Sequence, residues 1–120
     1  MAFGFEPAYL DGPAVVSAWG ELDATSRGDL RARLLDAAEG SRDRVVIDLL
    51  RVTYIESSPL GTLVEISALL ASKGGGLAIV CPTGEVFRVL RLAGLHKLLD
   101  VFDDVPAAVT HLGIGRRESD

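Results

Sequence analysis

The stretch VVIDLLRVTYIESSPLGTLVEI, residues 45–66, changes its period halfway along. Its start, read with the residues before it as RDRVVIDLL, is an apolar run of strand length, the mark of an interior strand covered on both faces. That strand is expected at the centre of a sheet. From Pro59 the spacing is helical: Leu60, Leu63, Val64, Ser67, Leu70 and Ala71 recur at i, i+3, i+4, i+7, i+10 and i+11, and glycines 74–76 stop the helix. Between the two periods lie Ser57 and Ser58, adjacent hydroxyls ahead of a proline. They pose a choice among a helix cap, a nucleophile and a place where another protein writes a charge.

Working outward, FGFEPAYL leads through DGP into AVVSAWGEL, which reads as two early strands in a hairpin. TSRGDLRARLLDAAEG sets Leu30, Leu34 and Ala38 on one helical face beside Leu35 and ends at Gly40. After the long helix, LAIVCP is a short strand, and TGEVFRVLRLAGL a helix with Thr83 as candidate N-cap and Gly94 as stop. LLDVFDD supplies a last strand, and DVPAAVTHLG a last helix capped by Asp103 or Asp104. Strands alternating with helices imply parallel pairing through right-handed crossovers. The expected fold is α/β: one domain over residues 1–113, a mixed and mostly parallel sheet with an N-terminal antiparallel edge, and about four helices. Residues 114–120 read as a polar, mobile tail. Sites in such sheets form at the carboxyl ends of strands, so GELDATS and YIESSPLG are expected to be neighbours.

The chain has 120 residues, the size of one compact domain, with 48% hydrophobic and 24% charged residues. Its net charge of −5 repels phosphate backbones and anionic membrane surfaces, so direct nucleic-acid or membrane partners are not expected. Cys81, the single cysteine, sits in an apolar run and reads as a small buried thiol in a reducing compartment. The N-terminus lacks a basic-then-apolar leader and no window has the length of a membrane span, which together suggest the cytoplasm.

Self-contained catalysis finds little support. A serine hydrolase requires G-x-S-x-G with a histidine base and an acid, and His96 and His111 fall in or near the C-terminal helices. SKGGG follows a helix instead of a strand and lacks the P-loop pattern. Two histidines, one cysteine and scattered carboxylates do not make metal-ligand spacing. Trp19, Phe87 and Phe102 read as core. For the serine pair, local physics favours a cap: a residue before proline is pushed to extended angles and proline is tolerated at the first helical position. Ser58 is then the N-cap, its Oγ accepting from Leu60 or Gly61 for about 1 kcal/mol, and Pro59 is N1.

GELDATS (20–26), VVIDLLRVTYIESSPLGTLVEI (45–66) and VFRVLRLAGLHKLLDVFDDVPAAV (86–109) resemble, in order and nearly end to end, the signature stretches of STAS domains, specifically bacterial anti-sigma factor antagonists. The family pattern is a G-x-[IL]-D loop, a strand ending D-L, and a D-S-S-G-L-G-like turn opening a helix. The resemblance implies a binding module that is not an enzyme. It captures a kinase-type anti-sigma factor, releases a sigma factor, and is phosphorylated on the second serine, Ser58. It implies no cofactor on this chain, since ATP and magnesium belong to the kinase, and it admits a phosphatase that resets the switch. The implied binding face is Glu21, Asp23, Thr25, Glu56, Ser57, Ser58 and Pro59 with the start of the following helix. Glu56 stands where the family has aspartate, and Pro59 where it has glycine, removing one amide that could contact a phosphate. The alternatives are a STAS scaffold or transporter-associated subunit that uses the same surface without phosphorylation and, third, a hydrolase using Ser58.

Overall fold

The computed structural model describes residues 3–9, 12–39, 43–81 and 84–118. Strands β1 (Phe3–Tyr9) and β2 (Ala14–Leu22) form the antiparallel hairpin. Strand β3 (Arg44–Ile55) pairs in parallel with β2 on one side and with β4 (Gly76–Val80) on the other, and β4 pairs in parallel with β5 (Asp100–Phe102). The sheet order is strictly sequential, β1-β2-β3-β4-β5, so the run RVVIDLL does lie at its centre.

Sequential order dictates where the helices go. Three right-handed crossovers advancing in one direction must set α1 (Arg27–Ala37), α2 (Ser57–Ser72) and α3 (Glu85–Leu92) on the same face. One core cluster accordingly joins Val16, Leu22, Val45, Ile47, Leu49 and Ile79 of the sheet to Leu30, Leu34, Leu60, Leu63, Ile66, Leu70, Val86 and Leu90 of these helices. The last helix, α4 (Val105–Glu118), crosses to the outer face. There it buries Ala108 and Leu112 against Val15, Val46, Ala78 and Val80. Asp104 caps it, accepting from Ala107 N–H at 2.8 Å. The helix runs on to Glu118, through most of the residues expected as a tail.

Strand β3 runs on past its apolar stretch and carries two irregularities against β2. Ser17 pairs with Asp48 but Trp19 with Arg51, and Gly20 pairs with Val52 but Glu21 with Tyr54. Each step inserts an extra residue into β3. The buried positions therefore become Leu49, Val52 and Ile55, three apart, a spacing foreign to a regular strand. Gly20, with φ 87°, supplies backbone freedom at the second irregularity. Helix α2 ends in a Schellman motif: Gly74 (φ 84°) donates to Ala71 C=O at 3.0 Å, and Gly75 to Leu70 C=O at 2.9 Å. The glycines of SKGGG are thus spent on stopping a helix. For α3, the N-cap is Gly84; Thr83, the expected cap, lies outside the described residues, as does Gly40.

Candidate functional site

Parallel pairing of β2 with β3 ends at Leu22 and Ile55, so the loops that follow leave the sheet side by side. The first loop is a turn built on Asp23. Its Oδ1 accepts from Thr25 N–H at 2.9 Å and also from the Thr25 hydroxyl. Ser26, fully buried, donates its Oγ–H to Asp23 C=O at 2.8 Å. The bond from the Thr25 hydroxyl is the largest influence holding the Asp23 carboxyl below its usual range; desolvation opposes it and the Thr25 amide assists. Asp23 is therefore an ordered, ionised carboxylate on an exposed turn.

The second loop is tied to the first through Glu56. Its N–H donates to Leu22 C=O at 2.9 Å, and its carboxylate Oε1 accepts from Ala24 N–H at 3.1 Å. One residue thus crosses the gap twice. These ties hold Glu56 extended, at φ −94° and ψ 172°, and the helix begins at the next residue.

That placement corrects the expected cap. Glu56, not Ser58, is the N-cap of α2, and Leu60 N–H goes to Glu56 C=O at 3.3 Å instead of to Ser58 Oγ. Ser57, Ser58 and Pro59 are the first three helical residues. Pro59 loses nothing there, because first-turn amides have no intrahelical partner. Local preference pushed the residue before proline out of the helix, and two tertiary hydrogen bonds at Glu56 overrode it. Ser57 is exposed, Ser58 half-buried and Pro59 buried. The buried Thr62 hydroxyl donates back to Ser58 C=O at 3.4 Å. At the helix start only Ser57 and Ser58 offer free amides, since Pro59 has none.

Glu21 completes the set at the end of β2, half-buried and in register with Tyr54. All seven residues singled out from the sequence therefore meet at the carboxyl ends of two adjacent strands. At this end of the sheet lie three carboxylates, from Glu21, Asp23 and Glu56, and the hydroxyls of a helix N-terminus. His111 lies elsewhere, paired with Asp100 Oδ2 at 3.4 Å across α4 and β5. Among the described residues no group of three or more His, Cys, Asp or Glu side chains could hold a metal ion, and no helix is long and apolar enough to cross a membrane. Cys81 is buried as expected, and burial pushes its thiol up to about 11.

Two aromatic residues next to this site do not stand out in the sequence. Trp19, which reads there as core, is 37% exposed, and Tyr54 is 45% exposed. Both leave the outer face of the sheet, where α4 covers only the part around Val15, Val46 and Val80. Phe87 and Phe102, also taken for core, are half-buried and pack against it. The available signal was alternation: Val15, Ser17 and Trp19 share a face that turns polar along its length.

Comparison with known proteins places this geometry. The chain is 28% identical to an anti-sigma F factor antagonist of Paenibacillus polymyxa, with 95% of this chain and 98% of the relative covered. It is 30% identical to an anti-sigma-B factor antagonist of Bacillus subtilis, over 68% of this chain and 74% of that one. The crystal structure of an anti-sigma factor antagonist from Mycobacterium paratuberculosis superposes with a TM-score of 0.77 at 26% identity, covering 92% of this chain and 94% of that one. The STAS domain profile matches residues 7–108. A five-stranded mixed sheet with the paired loops at its carboxyl end, and a profile match over most of the length, identify the chain as a member of the STAS domain family.

Proposed function

We propose that the chain is an anti-sigma factor antagonist that docks a kinase-type anti-sigma factor on the paired loops, frees a sigma factor, and is switched off when that kinase phosphorylates Ser58. The observation that carries this reading is the double tie at Glu56. It fixes the serine pair and the Asp23 turn as one preorganised surface, so a partner that binds the loops also reaches the acceptor hydroxyl. The antagonist relatives on both loops' scaffold support it.

In the switching step, Ser58 Oγ attacks the γ-phosphorus of the kinase's ATP. The new Oγ–P bond forms as the bond to the leaving ADP breaks, and the hydroxyl proton passes to a base on the kinase. ATP and magnesium belong to the kinase, and the chain contributes the hydroxyl. The product carries about −1.5 to −2 charges at a helix start whose two free amides and dipole tolerate it, so the fold persists. Glu21, Asp23 and Glu56 make that end of the molecule still more negative, and a partner bringing carboxylates of its own is repelled. Weakening a complex a thousandfold takes about 4 kcal/mol, within reach of one badly placed interfacial charge. A phosphatase would restore the binding form. Cytoplasmic location follows from this role.

A second reading, an unphosphorylated STAS scaffold or transporter-associated subunit on the same surface, draws on Pro59 and on the half-burial of Ser58. Incubation with kinase-type anti-sigma factors and Mg-ATP, followed by intact-mass measurement, separates the two. One phosphoryl group is expected on the wild type and on Ser57→Ala, and none on Ser58→Ala. Complex formation with no phosphoryl group on any variant would reject the switch and leave the scaffold.

A further inference from the structure

Two loops are too small to hold a partner alone. The candidate site spans Glu21–Ser26 and Glu56–Gly61, whereas a specific interface takes about 20–30 residues a side. A partner seated there extends onto adjoining surface, and two such surfaces among the described residues differ sharply in character. The one formed by α1 and α2 presents charged side chains, among them Arg31 with Glu65 at 3.0 Å, and none of the exposed large apolar side chains. The other is the part of the outer sheet face that α4 leaves open.

There β2 and β3 carry a register-paired row: Ser17 with Asp48, Trp19 with Arg51, and Glu21 with Tyr54. Residues paired in a parallel ladder leave the same face, so the row leads from the end covered by α4 to Glu21, already part of the candidate site. Trp, Tyr and Arg are the residue types that dominate binding hot spots, and all three stand in this row, exposed. One of them is held in place beforehand: the Trp19 indole lies against Gly4 of β1, where a β-carbon would collide with it, while the Arg51 guanidinium makes only an exposed, weak pairing with Glu6 of β1 at 3.8 Å. Anchors fixed before binding lose little side-chain entropy when covered.

We propose that the anti-sigma factor assigned to the loops also covers this outer patch, with Trp19, Arg51 and Tyr54 as its principal anchors; the inference rests on the function proposed above. The matching surface on the partner is apolar or aromatic opposite the two rings, with an acceptor for the Tyr54 phenol. Contiguity through Glu21 is the reason to assign one partner to both surfaces.

Trp19 is the single tryptophan, so 5-fluorotryptophan labels one position. The probe is the unlabelled kinase-type anti-sigma factor that binds the wild-type chain. On complex formation the 19F resonance should shift and its H2O/D2O isotope difference shrink. Tyr54→Ser and Arg51→Ala, both with melting curves like wild type, should each weaken binding about tenfold or more. Asp23→Lys serves as the loop control. The inference is overturned if Asp23→Lys loses binding while the resonance stays unshifted and both outer-face variants bind within about twofold of wild type. If Asp23→Lys also binds like wild type, the loop reading itself fails. Absence of binding to every kinase-type anti-sigma factor overturns both.

Discussion

Asp23 and Glu56 do unlike jobs with the same chemical group. Glu56 spends its carboxylate on Ala24 N–H and so joins two loops, whereas Asp23 spends one oxygen inside its own turn and faces solvent with the rest. Replacing Asp23 by lysine removes an ionised carboxylate without opening the core. Binding to the anti-sigma factor should fall at least about tenfold, measured by titration calorimetry, while the fold is kept and the melting temperature drops only by the few degrees that losing the Thr25 bonds costs. Cys81 gives a residue-scale check on the packing. With its thiol near 11 and its side chain buried, it is protonated at pH 8 and shielded. Iodoacetamide should modify it only as fast as the chain unfolds, and rapid alkylation of the native protein would contradict that burial. At this scale the site residues were legible in sequence because they sit in motifs, but the identity of the cap was not. It is set by Leu22 and Ala24, more than 30 positions from Glu56 in the chain, and no local preference encodes that contact.

Among the elements, α2 shows which signals are local and which are not. Its stop was readable because the Gly74 conformation and the Schellman bonds depend on residues 70–75 alone. Gly74→Ala puts a β-carbon at φ 84° and should cost about 1 kcal/mol or slightly more, read from urea melts; a β-carbon there meets open space, so no clash adds to it. An unchanged midpoint would mean the helix ends otherwise. Strand β3 is the opposite case. Its apolar core was plain, but the extension through RVTYI buries every third residue because of two irregularities against β2, and period-2 reading cannot follow them. The same irregularities aim Arg51 and Tyr54 outward, which is why the outer row was missed together with Trp19.

For the molecule as a whole, sequential strand order is the governing fact. It puts three helices on one face, leaves α4 alone on the other, and delivers both loops to one end of the sheet. Parallel pairing and the meeting of the two loops followed from βα alternation, but the strand order and the side on which each helix packs did not, since right-handed crossovers fit several orders of the same strands. How much of the outer face α4 would cover did not follow, since helix docking depends on side-chain fit along the whole sheet. Stability should reside in the three-helix face: Leu63, fully buried where α2 packs against the sheet, is expected to cost about 2–5 kcal/mol on truncation to alanine, by urea denaturation. A loss below about 1 kcal/mol would place the main core elsewhere. The outer row and the loops, being exposed, are free to serve a partner without that cost. One phosphoryl group on this preorganised surface should end partner binding while leaving the fold intact. The decisive measurement is the calorimetric affinity of the anti-sigma factor for the unmodified chain and for the chain phosphorylated at Ser58. A loss of about a thousandfold with an unchanged circular dichroism spectrum is expected, and equal affinities of the two forms would rule the switch out.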